Sequence, residues 1–172
     1  MAPSGRAGQS QAPLSCAAQG RHATWVASAR TLGRTHNNRM WRIEFKSAEF
    51  LPLLPEEAQG NPGVYGFELA WWLAQELART GIATSYPLGE DWGWLIEYVD
   101  ASENEFTIGC ASMAEEGEGY RGGPIQWSIF VRPHVSLKQR LKGISHDSEV
   151  QRLGQAVVAA LRAKGIASRS AA

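Results

Sequence analysis

Tryptophan is the residue that most constrains what this chain can fold into. Six of its seven tryptophans fall between Trp41 and Trp127, and Trp71, Trp72, Trp92 and Trp94 crowd the single stretch Tyr65–Trp94. Each ring carries roughly 150–250 Å² of surface that prefers to leave water. A fold must therefore supply a deep core, a ligand-stacking platform or a partner surface to take them. With 172 residues, 44% of them hydrophobic, the chain is long enough for one domain with a substantial core.

The balanced net charge averages two unlike segments. Residues 1–39 carry Arg6, Arg21, Arg30, Arg34 and Arg39 and no acid. The 12 remaining basic residues stand against all 17 acidic ones, which leaves residues 40–172 at −5. An acidic domain is a poor match for a phosphate backbone, which needs clustered positive charge, so no nucleic-acid partner is expected. Cys16 and Cys110 form neither a disulfide framework nor a metal-ligand cluster. Cys110 lies on an apolar strand face and reads as a buried, inert thiol. No apolar run approaches the ~20 residues of a membrane span, so a soluble, cytoplasmic protein without membrane contact is expected.

Residues 1–39 show no hydrophobic period and no apolar signal-peptide core. Their Ala, Gly, Ser, Gln and Arg content reads as a start-site extension or disordered tail, with an acid-free targeting peptide and then a nucleic-acid-binding arm as the other readings. From Met40 the pattern changes. Trp41, Ile43 and Phe45 alternate with Arg42, Glu44 and Lys46, the period of a half-buried strand. A helix over 64–79 follows, with Gly66, Leu69, Ala70, Leu73 and Leu77 on one stripe at about 100° per residue, Trp72 on its flank, and Gly81 to end it. Strands are predicted at 82–86, 92–99, 105–111 and 125–132. Trp92, Trp94, Ile96 and Tyr98 point inward, as do Phe106, Ile108 and Cys110, and Ile125, Trp127, Ile129 and Val131. A basic loop spans 133–147. A second helix then starts with Ser148 as its N-cap and Gln151 completing a capping box. It runs along Val150, Leu153, Gly154, Val157, Val158 and Leu161 to Gly165.

These elements make an α+β two-layer sandwich: a five-stranded antiparallel sheet with two helices on one face, in the order β-α-β-β-β-β-α. The domain is placed at 40–166, and 167–172 is read as a disordered tail. In element order alone it resembles the TATA-binding-protein-like or helix-grip sandwiches, which implies nothing about function. The large inward residues oppose Ala and Gly on the helices, so Trp41, Trp92, Trp94 and Trp127 are expected to be core. Leu95, Val99 and Phe130 on the other face could form a semi-apolar patch suited to self-association, and a homodimer through this open face is a third reading.

Several groups of residues have the chemistry of a site. Phe67 and Trp71, one turn apart, face away from the predicted core stripe. Either the 51–54 segment or the basic loop covers them, or they form an exposed hot spot for a partner. Glu90 and Asp91 head the Trp-rich strand at a turn. With Glu115, Glu116 and Glu118 they could form an acidic rim that steers a basic partner. His134 and His146 sit in the basic loop, where a solvated His is the plain reading. His134 with Arg132 could instead border a small-ligand pocket between the sheet and the loop over 133–147. The glycines of 117–123 open no helix and are not a phosphate loop. No catalytic residue, metal or cofactor is assigned.

Asn61-Pro62-Gly63-Val64-Tyr65-Gly66-Phe67-Glu68-Leu69-Ala70-Trp71-Trp72-Leu73-Ala74, then Glu90-Asp91-Trp92-Gly93-Trp94, then Trp127-Ser128-Ile129-Phe130 resemble a family of small bacterial proteins. Its pattern is G-x-E-L-A-x-W-L-A, E-D-W-G-W and W-x-I-F. The resemblance covers roughly 40–165, implies Met40 as the natural start, and brings no catalytic residues with it. In size and style that family is similar to small α+β immunity proteins. The leading expectation is a non-enzymatic, acidic protein-binding module of immunity or antitoxin type, using Phe67, Trp71, Glu90, Asp91, Glu115, Glu116 and Glu118. The alternative is a small-ligand-binding protein or minor enzyme built around Arg132 and His134.

Overall fold

The computed structural model describes residues 40–113, 120, 122–167 and 169–170. The expectations for 1–39, for Cys16 and for Glu115, Glu116 and Glu118 therefore lie outside the described residues.

Alternation builds the sheet. β1 (Trp41–Ser47) buries Ile43 and Phe45 and wets Arg42, Glu44 and Lys46 to varying degrees. A single 3₁₀ turn at Glu56–Ala58 interrupts the irregular chain before α1 (Phe67–Arg79). Then come β2 (Leu88–Glu90), β3 (Gly93–Val99), β4 (Glu105–Ser112) and β5 (Ile125–Pro133). A short helix α2 (Leu137–Leu141), α3 (Asp147–Ala163) and a two-residue strand β6 (Arg169–Ser170) complete the chain. Every pairing is antiparallel, in the spatial order β2-β3-β4-β5-β1-β6. The fold is the α+β sandwich expected, with β6 as a two-residue addition at the edge.

α1 carries the chain from β1 to the far edge of the sheet, and a meander returns it from β2 to β5 beside β1. α1 lies over β3 and β4, and α3 over β5 and β1. Their buried stripes are Leu69, Ala70, Leu73 and Leu77, and Val150, Leu153, Gly154, Val157 and Leu161. They meet Ile96, Phe106, Ile108, Cys110, Trp127, Ile129 and Val131, all fully buried. Gly81 and Gly165 end the helices at φ +86° and +81°, a left-handed backbone that costs a residue with Cβ about 1 kcal/mol or more.

Five expectations need correction. No strand forms at 82–86; the edge strand is Leu88–Glu90, pairing Gly89 with Trp94 and Glu90 with Gly93. Pro87 has no N–H to give, and the strand starts after it. Asp91 and Trp92 thereby become the two-residue hairpin turn, and Trp92 leaves the inward parity it would have as a strand residue. Its ring lies against Phe130 on the opposite face, 5.1 Å between centroids. The second helix starts at Asp147 with His146 as its N-cap and no side-chain capping bond, not at Ser148. His146 is not solvated: it is 5% exposed, edge-on to Phe106 at 5.8 Å. Residues 169 and 170, read as tail, pair with Glu44 and Ile43.

Glycine sets the layer spacing on α3. A Cβ at Gly154 would stand 2.6 Å from two atoms of the Trp41 indole. In an open helix interior, glycine to alanine stabilises by about 1 kcal/mol. Here the added methyl overpacks the core, at a cost of about 1–3 kcal/mol. Gly154→Ala is therefore expected to lower the melting temperature, and to do so less, or not at all, in a Trp41→Val background. An equal loss in both backgrounds would remove the indole as the cause.

Candidate functional site

The flank of α1 and the β2–β3 hairpin assemble an aromatic ledge. Phe67 opens α1 and meets the Trp94 ring edge-to-face, 4.9 Å between centroids at 71°. Tyr86, in the segment entering β2, packs on both Phe67 (6.1 Å) and Trp71 (5.1 Å). Trp94 is itself half-buried against the core, and a Cβ at Gly66 would stand 3.3 Å from it and 2.4 Å from the Cys110 carbonyl oxygen. The four rings thus form a continuous stack from core to surface. Its inner members are held and its outer ones are wet: Trp71 is 43% exposed and Tyr86 61%.

This arrangement revises the expected roles. Phe67 does not face away from the sheet. α1 lies over β3 and β4, so its flank meets Trp94, and Phe67 is half-buried support. Trp71 is 43% exposed, and the 51–54 segment is tied to the neighbouring Glu68. Leu53 and Leu54 donate their N–H groups to Glu68 Oε1 (2.6 and 3.1 Å), and Tyr86 is the residue that reaches Trp71. Tyr86 was missed because Ile82–Tyr86 alternates like a strand; the Pro87 that follows was the available signal.

Glu90 and Asp91 are both exposed, on a hairpin whose backbone is anchored from behind. Asn61 Nδ2 donates to the Asp91 carbonyl oxygen (2.7 Å), and Gly60 approaches Glu90 so closely that a Cβ there would be 2.4 Å from the Glu90 carbonyl oxygen. The ledge and this acidic turn belong to neighbouring positions, because Glu90 follows the Gly89 that packs on Trp94.

The loop preceding α1 is locked by one carboxylate. Glu56 accepts from the buried Tyr65 hydroxyl and from Gly63 N–H (3.1 Å), and the Tyr65 oxygen accepts from Tyr120 N–H (2.6 Å). The Tyr65 hydroxyl, then Gly63 N–H, hold the Glu56 carboxyl below its ordinary value of 4.5. Burial, and then the Glu56 carboxylate, push the Tyr65 phenol up.

Arg132 and His134 point to different surroundings. Arg132 lies on the outer sheet face, its guanidinium 5.7 Å from the Phe130 ring centre. His134 Nε2 shares a hydrogen bond with Thr107 Oγ1 (2.5 Å). His134 also borders an open hollow of about 440 Å³, with Glu103, Asn104, Glu105, Ser136 and Gln139. The hollow lies between the β3–β4 turn with the start of β4 and the first residues of the 133–147 segment, and Arg132 is not in its lining. Asp100 caps that turn, accepting from Ser102 and Asn104, and the Asn104 bonds draw its carboxyl below the ordinary range. Cys110 is fully buried and burial pushes its thiol up, so it is no nucleophile. Among the described residues no three His, Cys, Asp or Glu side chains converge as metal ligands, and no helix is long and apolar enough to cross a membrane. No family model, no curated protein and no solved structure matches the chain.

Two outcomes follow from this geometry. Phe67→Ala is expected to cost about 2 kcal/mol, less than a fully buried ring because Phe67 is half-buried, while Trp71→Ala costs less than half of that in chemical denaturation. The Glu56 carboxyl is depressed in the folded state, so its contribution is complete above the unfolded value of about 4.5 and fades as pH falls through the lower folded value. Glu56→Gln should therefore narrow the loss of melting temperature between about pH 6 and about pH 3; curves of unchanged shape would exclude the carboxylate as an acid-sensitive lock.

Proposed function

We propose that this chain is a non-enzymatic protein-binding module, with the Trp71–Tyr86 ledge as its contact surface and Glu90 and Asp91 as its charged margin. The observation that carries this reading is two exposed rings standing on two fixed ones. A rigid aromatic loses little conformational freedom on binding and offers a large apolar surface, which is why such residues dominate interface energetics. The acidic excess of residues 40–172 favours a basic partner, attracted over distance and held in register by the hairpin carboxylates. An immunity- or antitoxin-like protein that occludes its target in the cytoplasm fits this surface. It also fits the resemblance to the small bacterial family with the G-x-E-L-A-x-W-L-A and E-D-W-G-W motifs.

The test is affinity capture from the source organism with the folded full-length chain. A basic protein is expected on the wild type. It should be lost by about 10-fold or more with Trp71→Ala or Tyr86→Ala, and Glu90→Lys with Asp91→Lys should chiefly slow association. A captured partner indifferent to all four changes would reject the ledge.

The second reading, a small-ligand protein, is favoured by the hollow beside His134. Its carboxylates and amides suit a polar, cationic molecule. Thermal stabilisation by such a compound, abolished by His134→Ala and untouched by Trp71→Ala, would move the function there.

A further inference from the structure

The outer face of the sheet carries a second constellation, away from the ledge. In one row across the strands, Leu95 of β3 pairs with Gly109 of β4, which pairs with Phe130 of β5. In the adjacent outward row Glu97 pairs with Thr107, which pairs with Arg132. The first row is closed over at its centre. A Cβ at Gly109 would be 2.3 Å from Phe130 Cζ and 2.8 Å from Trp92 Cη2, so both rings lean onto the bare glycine and make an apolar centre. Leu95 is only 6% exposed and Thr107 1%. Glu97 and Arg132 are exposed, and two strand spacings hold them about 10 Å apart. Neither makes an ion pair among the described residues.

We propose that this face pairs with the same face of a second copy, about a two-fold axis running along β4. A rotation about that axis exchanges β3 with β5 and leaves each row opposite itself. Leu95 then faces Phe130 of the second copy, and Glu97 faces Arg132 of the second copy, twice over. β4 lies on the axis, with the Phe130 and Trp92 rings over its Gly109 and His134 over its Thr107, so these side chains interdigitate with those of the second copy across the ~10 Å of ordinary face-to-face packing. An isologous interface requires a patch that is its own complement. Acid on one side of a central strand and base on the other, in the same row, supplies that. A two-fold axis across the strands would instead set Glu97 against Glu97, so the charges select one orientation.

The experiment is sedimentation of the full chain over about 1–100 µM, with far-UV circular dichroism and a thermal melt to show that each variant is folded. The wild type should sediment as a dimer. Arg132→Glu and Glu97→Arg should each raise the dissociation constant by about 10-fold or more, because each places two like-charged pairs across the axis. The double variant, Glu97→Arg with Arg132→Glu, should restore the dimer. A wild type that stays monomeric overturns the proposal and leaves the face to the segment before Met40 or to another protein. A dimer that both single variants leave unchanged, or a folded double variant that stays monomeric, also overturns it.

Discussion

The contact on which the rest of the structure depends is indole against glycine, made once at each side of the sheet. Trp41 on β1 lies against Gly154 of α3, and Trp94 on β3 lies against Gly66 at the start of α1. Both glycines lack the volume that a single methyl would add, and interiors are packed too tightly for neighbours to absorb it. These two contacts set the distance and tilt of the helical layer over the sheet. Between them Leu73, Leu77, Leu153 and Val157 join Ile96, Ile108, Ile129 and Trp127 in one buried cluster.

The ledge follows from the second of these contacts. Because Gly66 admits the Trp94 ring, Phe67 arrives edge-on to it. Tyr86 and Trp71 complete a stack whose base belongs to the core and whose top belongs to the solvent. The loop from 48 to 66 is fastened by two carboxylates, the half-buried Glu68 holding Leu53 and Leu54 and the exposed Glu56 holding Gly63 and Tyr65. Glu68 lies on α1 beside Phe67, so the loop is tied to the helix that carries the ledge. The outer sheet face is built differently: its apolar centre exists because Gly109 leaves room for two rings from neighbouring elements. One kind of residue, a glycine under an indole or phenyl ring, therefore organises the core, the ledge and the outer face.

Much of the fold was legible in the order of residues. Alternation along 41–46, 93–99, 105–111 and 125–132 marks the inward faces, and the spacing of Leu69, Ala70, Leu73 and Leu77 marks a helix stripe. The errors have local causes. Ile82–Tyr86 has strand-like composition, yet the sheet edge takes Leu88–Glu90, because the hairpin turn at Asp91-Trp92 fixes which residues can pair with Gly93 and Trp94. His146 reads as a loop residue until α3 packs and places its ring against Phe106. Of the candidate site, Trp71, Glu90 and Asp91 were found at exposed positions. Phe67 became support, Tyr86 was not foreseen, and Arg132 and His134 separated.

Periodicity is a local property of a chain, so the sequence by itself determined the sandwich: which elements form, and which face of most of them is apolar. The partition of the tryptophans was only half decided there. Trp41, Trp94 and Trp127 went where alternation sends them. Trp92 went to the opposite face because a two-residue turn, set by pairing with a neighbouring strand, interrupts the alternation at that position. Whether Trp71 is covered depends on where the chain runs fifteen residues later, and Tyr86 covers only part of it. Those outcomes belong to contacts between segments distant in sequence, which no single segment's pattern encodes; tertiary structure alone left Trp71 and Tyr86 on the surface, above the half-buried rings of Phe67 and Trp94.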